Sequence, residues 1–129
     1  MKKKTYILLT LSIAWAMLIF VFCTMPQNNL PGLKIPYIDK AAHFGFFFVQ
    51  SILLSLLFNF QTGKSYFHII LLSTLLAFVY GGLIEILQNE FFDRTGDFYD
   101  LTADILGGFT GAIIAPAIRH FNMIFRKYK

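Results

Sequence analysis

One cysteine, Cys23, stands in a chain of 129 residues. A single thiol excludes an internal disulfide, and no Cys/His cluster has the spacing of a zinc finger. Charge is scarce as well: 14% of the residues are Asp, Glu, Lys or Arg, where a soluble domain carries about 25%. No stretch is polar enough for a soluble module. Also missing are a phosphate-cradling Gly loop, a Ser or Cys beside a base, an internal repeat and any low-complexity segment. The formal charge of +4 does not mark a nucleic-acid binder. The basic residues gather at the ends of apolar runs rather than on a polar face.

What is present is apolar. Hydrophobic residues make up 57% of the chain, 16 of them Phe, and the mean hydropathy is +0.63. Four runs stand out, at about 6–24, 40–60, 66–88 and 98–118. Each is near the ~20 residues that span a ~30 Å hydrocarbon core at 1.5 Å per residue. The sequence therefore predicts an all-α integral membrane protein, a four-helix transmembrane bundle with residues 1–129 as a single domain. The first run follows Lys2, Lys3 and Lys4 and resembles a signal peptide in that respect. Its apolar core exceeds the usual ~7–15 residues and no small-x-small cleavage site follows, which favours an uncleaved helix.

Basic residues set the expected orientation. The N-terminus, the 61–65 turn and the C-terminus share one side, with Lys2, Lys3, Lys4, Lys64, Arg119, Arg126, Lys127 and Lys129 and no acid. The other side holds Lys34, Lys40 and Arg94 together with all seven acids. Both termini should be cytoplasmic and the acids should face out. The stretch from Pro26 to Tyr37 carries Pro26, Pro31, Pro36 and Gly32 and cannot be helical. It reads equally as a passive linker or as a segment lying along the membrane surface.

The acids cluster by helix face. Asp39 and His43 are four apart, one turn along the same face, and Gln50 continues it. The plainer reading makes Asp39 an N-cap and His43 a packing residue. Glu85 lies nearly a turn inside the third run among Leu83, Ile84, Ile86 and Leu87, with Gln88 and Asn89 beside it. Thr74, Phe78, Gly81 and Gly82 are expected to extend its face inward. Glu90 and Asp93 read as solvated loop charges. In the fourth run Asp97, Asp100, Asp104, Gly108, Gly111 and Ala115 share a narrow helical arc, away from Phe98, Leu101, Ile105, Phe109 and Ile113. Small residues let helix backbones approach, so these acids should face other helices. Asp104 lies about 10 Å deeper than Asp97, too deep for a solvated charge row.

Asp39, His43, Glu85, Asp100 and Asp104 thus form the candidate catalytic set, with Lys40, Gln88, Arg94 and Asp97 as candidate substrate-binding residues. Two chemistries fit. Carboxylates with one His suit a divalent cation such as Mg, Mn or Zn, making the same five residues candidate metal ligands. Crowded carboxylates also raise one another's proton affinity and can serve as acid/base pairs. Lys40 and Arg94 either neutralise the acids or hold an anionic ligand.

These residues resemble the VanZ-like family of small bacterial membrane proteins. The matching pattern is Asp39, Lys40, His43, Phe44; Glu85, Gln88; Arg94, Asp100, Asp104, Gly107 and Gly111, which covers the second to fourth runs. Asp104 departs from it, since members usually carry Asn there. The resemblance implies a multi-pass protein of the bacterial cytoplasmic membrane. It also implies an envelope role linked to glycopeptide (teicoplanin) resistance rather than a defined reaction.

Three expectations follow. One is an enzyme acting at the outer leaflet on a lipid-linked or phospholipid substrate. Another is a non-catalytic binder of a cell-wall precursor or glycopeptide that alters access at the surface. The third is an ion-paired network that only fixes helix register. Membrane lipids are the expected partners in every case, and nucleic acid in none. Four short helices without a pseudo-repeat make a poor transporter unless they oligomerise.

Overall fold

The structure is a computed structural model that describes residues 2–25, 37–62, 65–92 and 96–127. It contains four helices: α1 (Lys2–Thr24), α2 (Ile38–Thr62), α3 (Tyr66–Phe91) and α4 (Phe98–Lys127). All four are long and apolar enough to cross a membrane, as the four runs anticipate. The Pro26–Pro36 stretch, Lys64, Asp93 and Arg94 lie outside the described residues.

The helices run past the apolar stretches that announce them. α4 continues from the expected end near Ile118 to Lys127, with Pro116 inside it. Hydropathy reports the span and not the helix: backbone hydrogen bonding continues after the apolar residues stop. A proline removes one such bond without ending this helix. At the other boundary, α2 begins at Ile38. Asp39 therefore lies in its first turn rather than at its N-cap, and the Ala41 amide donates to the Tyr37 carbonyl at 3.1 Å.

α2 packs most extensively against α4, α4 next against α3, and α1 against α2. Close approach explains the first pairing. A Cβ on Gly107 would run into the Phe44 carbonyl, and one on Gly111 into the Phe48 carbonyl. A Cβ on Gly108 would strike that of Ala77 on α3. The small-residue stripe of α4 thus faces α2 and α3, as expected of small residues between membrane helices. α1 is held by side chains that donate to backbone carbonyls: Trp15 Nε1 to Phe46 at 2.9 Å and Tyr80 Oη to Ala16 at 2.6 Å.

The outside of the bundle is apolar, and the inside mixes an apolar cluster of Ile19, Phe47, Ala77 and Ile84 with buried polar side chains. Phe67, Leu71, Val79 and Ile86 are exposed, whereas Ser51, Ser55, Ser73, Gln88 and Asp104 are fully buried. That distribution suits hydrocarbon as solvent, where polar side chains turn inward to find partners. Ser55 and Ser73 meet at 2.9 Å between α2 and α3. A cavity of about 210 Å³ lies where α1, α2 and α3 meet, bounded by Phe47, Gln50, Ser51, Leu54, Ala77 and Tyr80.

The buried face of α3 differs from the expected one. It runs through Ser73, Ala77, Gly81, Ile84 and Gln88, while Phe78 is exposed. Neighbouring helical positions point about 100° apart, so Gly81 and Gly82 cannot both face inward. Gly81 does.

Candidate functional site

The site is built at one end of the bundle from the start of α2, the end of α3 and the start of α4. Its outer part centres on Lys40. The Lys40 Nζ donates to Asp97 Oδ2 at 2.7 Å, Asp100 Oδ1 at 3.0 Å and Asp39 Oδ2 at 3.2 Å. One cation thereby joins α2 to the head of α4, fixing the rotation of the two helices. Asp97 lies just outside the membrane spans. The Lys40 ammonium holds its carboxyl below the ordinary carboxylate range, assisted by the Tyr99 backbone N–H, which reaches Asp97 Oδ1 at 2.8 Å.

Beneath this layer lies a drier one. His43 Nδ1 meets Asp104 Oδ1 at 2.9 Å, with both side chains buried. Glu85 approaches from α3, and one donor atom from each of His43, Glu85 and Asp104 lies within 4.8 Å of the other two. Glu85 Oε2 accepts the Asp97 backbone N–H at 2.7 Å, so α3 holds the entry to α4. The other two carboxylate oxygens, Glu85 Oε1 and Asp104 Oδ2, are buried with no hydrogen-bond partner. Gly81 makes the room: a Cβ there would lie 2.5 Å from Asp104 Oδ2.

The candidate residues therefore separate into two groups. His43, Glu85 and Asp104 converge. Asp39, Asp97 and Asp100 gather instead on Lys40. Gln88 is buried and points to α1, where its Nε2 donates to the Cys23 carbonyl at 2.6 Å. Gln50 continues the His43 face, as the spacing suggested, and is buried at the cavity wall. Arg94 lies outside the described residues. Glu90 is exposed and accepts from Asn89 Nδ2 at 3.1 Å, in keeping with a solvated charge.

Cys23 joins the site without having been anticipated. Its thiol meets the His43 imidazole, bringing α1 up to the inner layer. Sequence spacing could not have found it, because the contact depends on how α1 leans on α2. Gly96 is similar: its backbone passes over Glu85, and a Cβ there would sit 3.0 Å from the Glu85 carbonyl.

Chemically, the inner layer offers one imidazole and two carboxylates in a low-dielectric setting. Two oxygens there stay free to accept a proton or to bind a cation. The outer layer has its cation already surrounded by acids.

A family model described as VanZ/LLP1 matches residues 5–119 of the chain. No curated protein and no solved structure matches it.

Proposed function

We propose, from the premise that the chain belongs to the VanZ/LLP1 family, that it acts on a lipid-linked or phospholipid substrate in the bacterial envelope. It would do so as a multi-pass protein of the cytoplasmic membrane, with the polar site facing outward. The observation that carries this reading is the convergence of His43, Glu85 and Asp104 from three helices, with unpartnered oxygens on both carboxylates. Ionisable groups inside membrane spans are costly, and those that converge with free valences mark functional sites.

In this reading His43, Glu85 and Asp104 are the reacting set. Glu85 and Asp104 each keep one oxygen free to take a proton from a substrate hydroxyl or a water, or to bind a cation. Lys40 with Asp39, Asp97 and Asp100 holds the mouth of the site in register. Arg94, next in sequence to the same entry, supplies a planar donor for a phosphate. The apolar cavity beneath, lined by Phe47, Leu54 and Ala77, supports a substrate with an aliphatic tail. A link to glycopeptide resistance would follow from altered lipid-linked precursors at the outer leaflet.

The test is turnover. Purified protein incubated with extracted envelope lipids should convert one lipid class, and conversion should vanish in His43→Ala and Glu85→Gln variants that remain folded. Full conversion by both folded variants would sink the reading.

A structural role is favoured for the outer layer alone. Lys40 already has three carboxylate partners, the arrangement of a register clamp more than of an open anion site.

A further inference from the structure

We infer that His43, Glu85 and Asp104 form a binding site for one divalent transition-metal ion of the zinc or manganese type. The inference deepens the proposed lipid chemistry by naming the ion that would serve at its site, and it rests on that reading only for the ion's purpose.

The two layers of the site have different charge balances. In the outer layer the Asp39, Asp97 and Asp100 carboxylates all share Lys40. In the inner layer Glu85 and Asp104 face each other with a single imidazole between α2 and α4. No Lys or Arg reaches them among the described residues. His43 can engage one oxygen of Asp104, and it does. Asp104 Oδ2 and Glu85 Oε1 then lie buried without a donor. Asp104 is fully buried, so water-exposed relaxation is not open to it. An orphaned buried acceptor has lost its hydration without gaining a partner, and the loss is larger if it is charged. A cation bonded to both oxygens removes the cost for two groups at once.

The donor set selects the kind of ion. One imidazole nitrogen and two carboxylates suit zinc, manganese or ferrous iron. Magnesium and calcium prefer sites built of oxygen alone and keep more of their water. A metal bonding at about 2.0–2.2 Å spans donors roughly 4 Å apart. The three donor atoms lie within 4.8 Å of one another, close enough for one ion to reach all of them after a small contraction. Three protein ligands leave a coordination position open, the pattern of catalytic rather than structural zinc. Space is provided by Gly81, where any side chain would enter the Asp104 carboxylate.

The experiment uses full-length protein purified in detergent without chelator. Elemental analysis by mass spectrometry should find about one equivalent of zinc or manganese per chain. Chelation should lower the melting temperature, and adding back the metal should restore it. Asp104→Asn and Glu85→Gln each preserve shape and hydrogen bonding while removing a charge. Both should lose at least tenfold in metal content and become insensitive to chelator. Two variants are used so that one misfolded protein leaves the other to decide.

Wild-type protein with no bound metal and a melting temperature indifferent to chelator and added ions would overturn the inference. So would full metal content in a folded variant. Metal binding without lipid turnover would leave this site standing and remove the proposed reaction. Turnover by metal-free protein would do the reverse.

Discussion

His43 on α2 and Asp104 on α4 touch at 2.9 Å between imidazole Nδ1 and carboxylate Oδ1, and neither side chain reaches the surface. Removing one member leaves the other buried without its partner, a loss of about 3–5 kcal/mol for buried pairs. Replacing both by apolar residues removes the demand along with the partner. In chelator, His43→Leu should therefore lower the melting temperature more than the His43→Leu, Asp104→Leu double variant does. Additive losses, read from detergent melts of the two single variants and the double, would show that the pair is not energetically coupled.

The pairing itself depends on glycine. Gly107 and Gly111 let α4 lie against the Phe44 and Phe48 carbonyls, and this contact sets the register that brings Asp104 to His43. Gly107→Ala or Gly111→Ala should destabilise by about 1–3 kcal/mol, the range for overpacked sites. Gly45→Ala and Gly82→Ala meet nothing within 4 Å and should melt at or slightly above the wild-type temperature. The four melts, run side by side, check the contrast.

This register explains what could be read in advance. Four spans are visible because lipid-facing residues must be apolar at nearly every turn. The depth of Glu85 and Asp104 is visible because each sits among apolar neighbours. The partition of the acids is not visible. Asp100 and Asp104 share a face of α4, yet one meets Lys40 and the other His43, four residues apart in sequence and one turn apart in depth. Only the approach of α2 at Gly107 and Gly111 decides which acid meets which base. Gln88 shows the same limit, since its partner is a carbonyl on α1 and carbonyls leave no mark in a sequence. The fourth span ends at Ile118 as its apolar run does, but the polar residues beyond it do not end α4, which continues to Lys127.

Lys40 should be tested by charge removal. Lys40→Gln leaves buried Asp100 without its cation, and the melting temperature should fall. Adding Asp100→Asn should recover much of the loss. Asp97 gives the pH signature. Its folded proton affinity is lowered by Lys40, so its contribution is complete above the ordinary value of 3.8. That contribution disappears as pH falls through the lower folded value. Melts between pH 7 and about pH 3 should show this acid-side loss in wild type, with the Asp97 share missing in Lys40→Gln. The share is small, because the Asp97 side chain is 35% exposed and its ion pair is screened. Identical acid-side slopes in the two proteins would count against the clamp.

Orientation has its own test. In a Cys23→Ala background, Tyr37→Cys and Ser65→Cys place thiols at exposed positions at opposite ends of α2 and α3. The excess of Lys and Arg near Ser65 and the termini predicts that this side is cytoplasmic. Intact cells treated with a membrane-impermeant maleimide should label the Tyr37→Cys protein and spare the Ser65→Cys protein until lysis. The opposite pattern would put the acidic site inside.

The most direct measurement is the rate of lipid conversion by wild-type and Glu85→Gln protein, each reconstituted in vesicles of extracted envelope lipids. The substitution keeps the shape at Glu85 and removes the carboxylate that would accept a proton or hold a cation. If Glu85, His43 and Asp104 are the reacting set, the rate falls by about 10²–10⁴-fold, the usual contribution of a positioned acid or base, while the melt in chelator shows a folded protein. Equal rates in the two folded proteins would contradict the assignment of the inner layer as the site of chemistry.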